Sequence, residues 1–157
     1  MIFLVHFKYS KRFFLLMIES EINSSIRTVE WKDNKVVMID QTKLPNQLVF
    51  VEYDDYNQVA DAIRSLVVRG APAIGVSGAF GLGLAVLQSN SKTKDDLISD
   101  LQHAKQIFFE TRPTAVNLVW GLNQIMTVAE LGNSVEEIKN IVIRRSASEN
   151  HTSTIKH

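Results

Sequence analysis

Two arginines stand in matching local settings. Arg69-Gly70-Ala71-Pro72 leads into the uncharged run from Ala73 to Leu87, and Thr111-Arg112-Pro113-Thr114 leads into an apolar series, Ala115, Leu118, Val119, Leu122, Ile125 and Met126. A guanidinium beside a helix start can clamp a phosphate in bidentate fashion, while the first free amides and the helix dipole add positive potential at the same place. Gly70 can adopt a backbone conformation that a side chain resists, closing one helix, and Pro72 fits the first turn of the next, where its missing N–H is not needed. The chemistry these residues suit is capture of a phosphoryl group, with both corners converging on one anion. The plain alternative is that each arginine is a surface or capping residue.

The run behind the first corner carries Gly75, Gly78, Gly81 and Gly83. A nucleotide P-loop is excluded because no Gly-Lys-Ser/Thr follows, and a dinucleotide fingerprint is excluded by the glycine spacing and the lack of a directly preceding strand. Ala71 to Gln88 is uncharged, which admits a membrane helix, but the stretch is marginal in length, glycine-rich and flanked by amphipathic segments. A buried helix with no ligand explains the apolar run and leaves the Arg-Gly-Ala-Pro approach unexplained. Each glycine in a helix costs about 1 kcal/mol relative to alanine, so Gly75, Gly78 and Ala79, then Leu82, are expected to bring this helix close against a neighbour in compensation.

These corners need a scaffold, and the composition supplies one. The chain has 157 residues, 45% hydrophobic and 22% charged, enough to bury a core. Its 17 basic and 17 acidic residues balance, so the total charge favours neither nucleic acid nor an acidic membrane as a partner. Without cysteines the chain has no disulfide, thiolate metal site or thiol nucleophile. Residues 1–16, MIFLVHFKYSKRFFLL, are interrupted by Lys8, Lys11 and Arg12 and form no continuous signal or membrane core. They read as an extension ahead of a natural start at Met17, with an amphipathic anchor as the alternative.

From Arg27 the pattern predicts a small antiparallel sheet: a hairpin of Thr28–Trp31 and Val36–Gln41 about the polar cluster Lys32–Lys35, then a third strand over Gln47–Tyr53. Helices follow. Asp54-Asp55 caps one over roughly 56–68, with Val59, Ala62, Ile63, Leu66 and Val67 on its apolar face; it is expected to end at the Arg69-Gly70 corner. The next runs from about Pro72 to Gln88, another from Lys94 to Glu110, and the last begins at the Arg112-Pro113 corner. The fold class is therefore α+β, a three-stranded antiparallel sheet followed by a helical bundle. Asp40 and Asp61 read as a turn residue and a solvated helix-face residue rather than as catalytic acids.

Four segments, Arg27–Trp31, Val37–Pro45, Val68–Gly75 and Thr111–Leu118, together resemble in order the amino-terminal part of the methylthioribose-1-phosphate isomerases, a likeness covering roughly residues 26–145. The resemblance implies an aldose–ketose isomerisation of 5-methylthioribose 1-phosphate in methionine salvage, in a cytoplasmic homodimer that takes a small sugar phosphate and no cofactor, metal, nucleic acid or membrane. It places Arg69, Gly70, Ala71 and Arg112 at the sugar phosphate. The family's catalytic cysteine and aspartate belong to a carboxy-terminal Rossmann-like domain that is absent here, so no catalytic residue is assigned. The chain then reads as an amino-terminal fragment, with an isomerase domain over 27–145 and a divergent polar tail over 146–157, inactive alone and prone to aggregate through surface meant for a missing domain. Similar folds leave two alternatives open: a ribose-1,5-bisphosphate isomerase, or a non-catalytic regulatory subunit of the initiation factor two-B type.

Overall fold

A computed structural model describes residues 27–148; the stretch 1–16 and the polar residues from 149 on lie outside the described residues. The order of elements is β1 (Val29–Lys32), β2 (Lys35–Ile39), β3 (Phe50–Tyr53), α1 (Tyr56–Arg64), α2 (Ala71–Gln88), α3 (Lys94–Thr111), α4 (Val116–Leu131) and α5 (Val135–Ser148). The three strands pair antiparallel in chain order, with Val29 opposite Met38 and Met38 opposite Val51. Asp33 and Asn34, at φ 51° and 59°, form the two-residue turn whose left-handed backbone suits the twist of a tight hairpin. Val29, Trp31, Val36 and Met38 alternate onto one buried face, where the Trp31 ring meets Phe80 of α2 at 5.8 Å between centroids.

The third strand starts later than its apolar pattern suggests. Gln47 donates its amide to the Lys43 carbonyl at 3.0 Å, closing a turn, so ladder pairing begins only at Phe50.

Helix α1 is capped as expected, Asp55 accepting from the Asn57 amide at 2.7 Å, but it ends at Arg64 and not at the Arg69-Gly70 corner. Leu66 turns left-handed at φ 63°, the Val67 amide reaches back to the Ala62 carbonyl at 2.9 Å, and the Leu66 amide reaches Ile63 at 3.3 Å. This pair of bonds is a Schellman closure, here with leucine at the position glycine usually takes. It frees Val67 to Arg69 to pair elsewhere.

Helix α2 is the axis of the molecule. Every residue from Ile74 to Val86 is buried, and α1, α3, α4 and α5 all pack on it. It is the one helix among the described residues long and apolar enough to cross a membrane, and it lies mostly inside the bundle, so its hydrophobicity is that of a core helix. The expected close approach is present. A Cβ on Gly75 would stand 2.7 Å from the Asn117 carbonyl oxygen, and one on Gly121 would collide with the Gly75 carbonyl. Backbone thus meets backbone where α2 crosses α4, which compensates the helix propensity that the glycines give up.

Helix α5 runs through the boundary expected after 145, because Ser146 is buried with its hydroxyl 3.5 Å from the Ala79 carbonyl.

Candidate anion site

The start of α2 and the turn between α3 and α4 face each other across an open cleft of about 380 Å³. Gly70, Ala71 and Ile74 form one wall; Arg112, Thr114 and Ala115, continued by Val116 and Asn117, form the other. Gly70 is the N-cap of α2, with φ 94° and ψ 134°, a backbone that requires glycine, and Pro72 stands in the first turn. No side chain caps this helix start. Its first amides therefore remain available to an outside acceptor, in the positive end of an eighteen-residue dipole.

Arg112 arrives by a different route from the one its sequence neighbourhood suggests. Proline after it disfavours helical backbone, and Arg112 takes φ −152° and ψ 79° as the C-cap of α3. The Ala115 amide then donates to the Arg112 carbonyl at 3.0 Å, so Arg112 to Ala115 form a turn and α4 starts at Val116 rather than at Pro113. Arg112 as a residue is partly buried, and among the described residues its guanidinium has no hydrogen-bond or ion-pair partner. A guanidinium beside helix-start amides that no side chain caps, with no carboxylate, histidine or cysteine in the lining, can hold an anion and offers no acid or base to move a proton.

Of the four residues expected at the site, Gly70, Ala71 and Arg112 line the cleft together. Arg69 precedes Gly70 in the chain, and its Nη2 donates to the Gln41 carbonyl at 3.0 Å. Thr114 and Asn117 belong to the lining but were not singled out by residue type; both sit in the Thr111–Leu118 segment. A second, apolar groove of about 160 Å³ continues along the α2–α4 seam between Pro72, Gly75, Trp120 and Gln124, sharing Asn117 with the cleft. It has no charged residue in its lining.

Asp40 and Asp61 are occupied as structural residues. The Asp40 carboxylate accepts from the Thr42 hydroxyl at 2.5 Å and the Thr42 amide at 3.0 Å, bonds that hold its pKa below the ordinary carboxylate value. Asp61 pairs with Arg64 one turn on along α1. Among the described residues, no three histidine or acidic side chains gather closely enough to hold a metal ion.

The model of the initiation factor 2 subunit family matches residues 67–155, more than half of the sequence. The chain belongs to that family. Within it, this member is 43% identical over 120 residues to a methylthioribose-1-phosphate isomerase of Geobacter metallireducens, covering 75% of the chain and 35% of the relative. It is 48% identical over 119 residues to the enzyme of the same name from Citrifermentans bemidjiense, covering 73% and 34%. Among solved structures, this family member superposes on 5-methylthioribose 1-phosphate isomerase from Pyrococcus horikoshii with a TM-score of 0.75 at 38% identity, over 80% of the chain and 36% of that structure. It superposes on subunit delta of translation initiation factor eIF-2B from A. fulgidus at 0.74 and 40%, over 79% and 36%. The chain thus spans about a third of the length of the curated relatives it matches.

Proposed function

We propose that the cleft between α2 and α4 grips the phosphate of 5-methylthioribose 1-phosphate, and that these residues are the binding part of an aldose–ketose isomerase of methionine salvage. The observation that carries the reading is that Arg112, whose guanidinium has no partner among the described residues, lines the same cleft as an uncapped helix start opened by Gly70. Arg112 and the Gly70-Ala71 amides hold the phosphoryl oxygens, and Arg69 supports the corner. The substrate's anomeric oxygen carries the phosphate, so the ring cannot open as a free aldose and an acid and base must act at the ring oxygen and at carbons one and two. The cleft contributes neither, and tight binding of the ground state alone does not speed the reaction. The residues that build this cleft therefore bind the sugar phosphate without turning it over. On the same reading the complete protein is a cytoplasmic homodimer.

The test is a calorimetric titration of the chain with 5-methylthioribose 1-phosphate and with unphosphorylated 5-methylthioribose, alongside an assay for the ketose product. Saturable binding of the phosphate ester only, without product, is the expected result. Equal affinity for both sugars would remove the phosphate reading, and product formation would remove the claim of inactivity. A second reading, a non-catalytic phosphate-sensing subunit, draws support from the likeness to the A. fulgidus protein and from the same lack of acid and base; preference for a nucleotide over the sugar phosphate in that titration would favour it.

A further inference from the structure

The segment Val37–Pro45 is singled out by its sequence yet contributes nothing to the lining of the cleft. Its place in the fold assigns it a different task. After β2 ends at Ile39, the Asp40–Thr42 bonds fold the chain back and set Gln41 against the connection between α1 and α2. Three groups of Gln41 then bond to that connection. Its amide donates to the Val67 carbonyl at 2.8 Å, its side-chain Oε1 accepts from the Arg69 amide at 2.8 Å, and its own carbonyl accepts from Arg69 Nη2 at 3.0 Å.

The first two bonds follow the pattern of a parallel bridge about Val68, with one substitution. In an ordinary bridge the Gln41 carbonyl would accept the Arg69 amide; here the glutamine side chain takes that amide, and the carbonyl is left to orient the guanidinium. Val68 is fully buried at the centre of this arrangement, so the corner is pinned by packing on one side and by Gln41 on the other. The next residue is Gly70, whose φ of 94° aims the first amides of α2.

We propose that Gln41 is a positioning residue for the anion site: it fixes the Arg69 backbone from which the Gly70 turn springs, and it orients the Arg69 guanidinium through its carbonyl while leaving that group's other donors unused by this contact. The inference rests on the phosphate reading of the cleft. A non-accepting side chain of similar length would strip the Arg69 amide of its acceptor and leave the corner held from this side only through the Gln41 main chain.

The experiment is a titration of the isotope-labelled full chain with inorganic phosphate, following the amides of Ala71 and Ala73 by NMR. For Gln41→Met the expected result is at least a fivefold weaker phosphate response with an unchanged melting temperature, together with faster hydrogen exchange at the Arg69 amide. Gln41→Glu keeps an acceptor at that amide and is expected to retain its protection from exchange, which makes the exchange readout decisive even if Gln41→Met folds poorly. Wild-type phosphate affinity in Gln41→Met, or loss of Arg69 protection in Gln41→Glu, overturns the assignment. If phosphate moves neither amide in the wild-type chain, the anion reading of the cleft falls and the role of Gln41 with it, whereas a wild-type response that Gln41→Met fully retains removes the role alone.

Discussion

Replacing Gly121 by alanine tests the α2–α4 crossing beside the candidate anion cleft. A Cβ at 121 would lie 2.9 Å from the carbonyl carbon and 3.2 Å from the Cα of Gly75, and closer still to the Gly75 carbonyl oxygen. These are backbone atoms of a buried helix, so no side chain can rotate away. Restoring ordinary carbon contacts of about 3.5–4 Å requires the helices to part by roughly 0.5–1 Å. Overpacking of this kind costs about 1–3 kcal/mol, and contact with backbone places Gly121→Ala at the upper end, while alanine returns about 1 kcal/mol of helix propensity. The net loss is about 2 kcal/mol, or roughly 8 °C in melting temperature for a domain of this size. Thermal and urea unfolding by circular dichroism measures it, and the phosphate titration should weaken alongside, because Asn117 at the start of α4 moves with the helix. A Gly121→Ala chain that melts at or above the wild-type temperature would refute the claim that the two backbones are in contact.

Four further outcomes are expected. Arg112→Met should lower phosphate affinity at least tenfold by calorimetry and leave the melting temperature within about 2 °C, since the guanidinium has no partner among the described residues to lose. Gly70→Ala meets open space but must hold φ 94°, so it should destabilise by about 1–3 kcal/mol in urea melts through backbone strain alone. Leu66→Gly should stabilise by about 1 kcal/mol in the same assay, because Leu66 is 43% exposed and held at φ 63°, where glycine carries no steric cost. Hydrogen bonds from Ser89 and Ser91 hold the pKa of Asp100 below its ordinary 3.8; its contribution to stability is complete above that value and is lost as pH falls through the lower folded value, so Asp100→Asn should flatten the decline in urea stability below about pH 4.

What the sequence discloses here depends on how local each cause is. The hairpin turn at Asp33-Asn34, the Asp55 cap and the uncharged core helix are each set by neighbours a few residues away, and they stand where residue types place them. The glycine crossing was legible as a need for close packing, though its partner on α4 was not. The early end of α1 was hidden because leucine at a left-handed position carries no sequence signal; what selects it is the bonding of Val67 and Arg69 to Gln41, 28 residues away from Arg69 along the chain. The Arg112 corner lines the cleft but does not start a helix, and residue type cannot tell the two settings apart, since a proline fits a first turn and a preceding turn equally well.

The same logic explains why the candidate anion site is built at an element junction. An uncapped helix start attracts an anion only if its amides are aimed and its backbone is rigid, and a glycine at φ 94° is by itself the least rigid choice for that position. The rigidity must be imported. Val68 supplies it from the core, the α2–α4 backbone contact from below the cleft, and Gln41 from the sheet. The Val68 packing and the α2–α4 contact are independent of any ligand chemistry and belong to a fold that superposes on both an isomerase and an initiation-factor subunit, whereas on the proposed reading the Arg112 guanidinium and its apolar neighbour groove are what a particular ligand meets. Differences in ligand within the family should therefore track the α3–α4 turn and the α4 face carrying Asn117 and Trp120, while the Gly70 corner behaves alike in an isomerase and a subunit when each is titrated with inorganic phosphate.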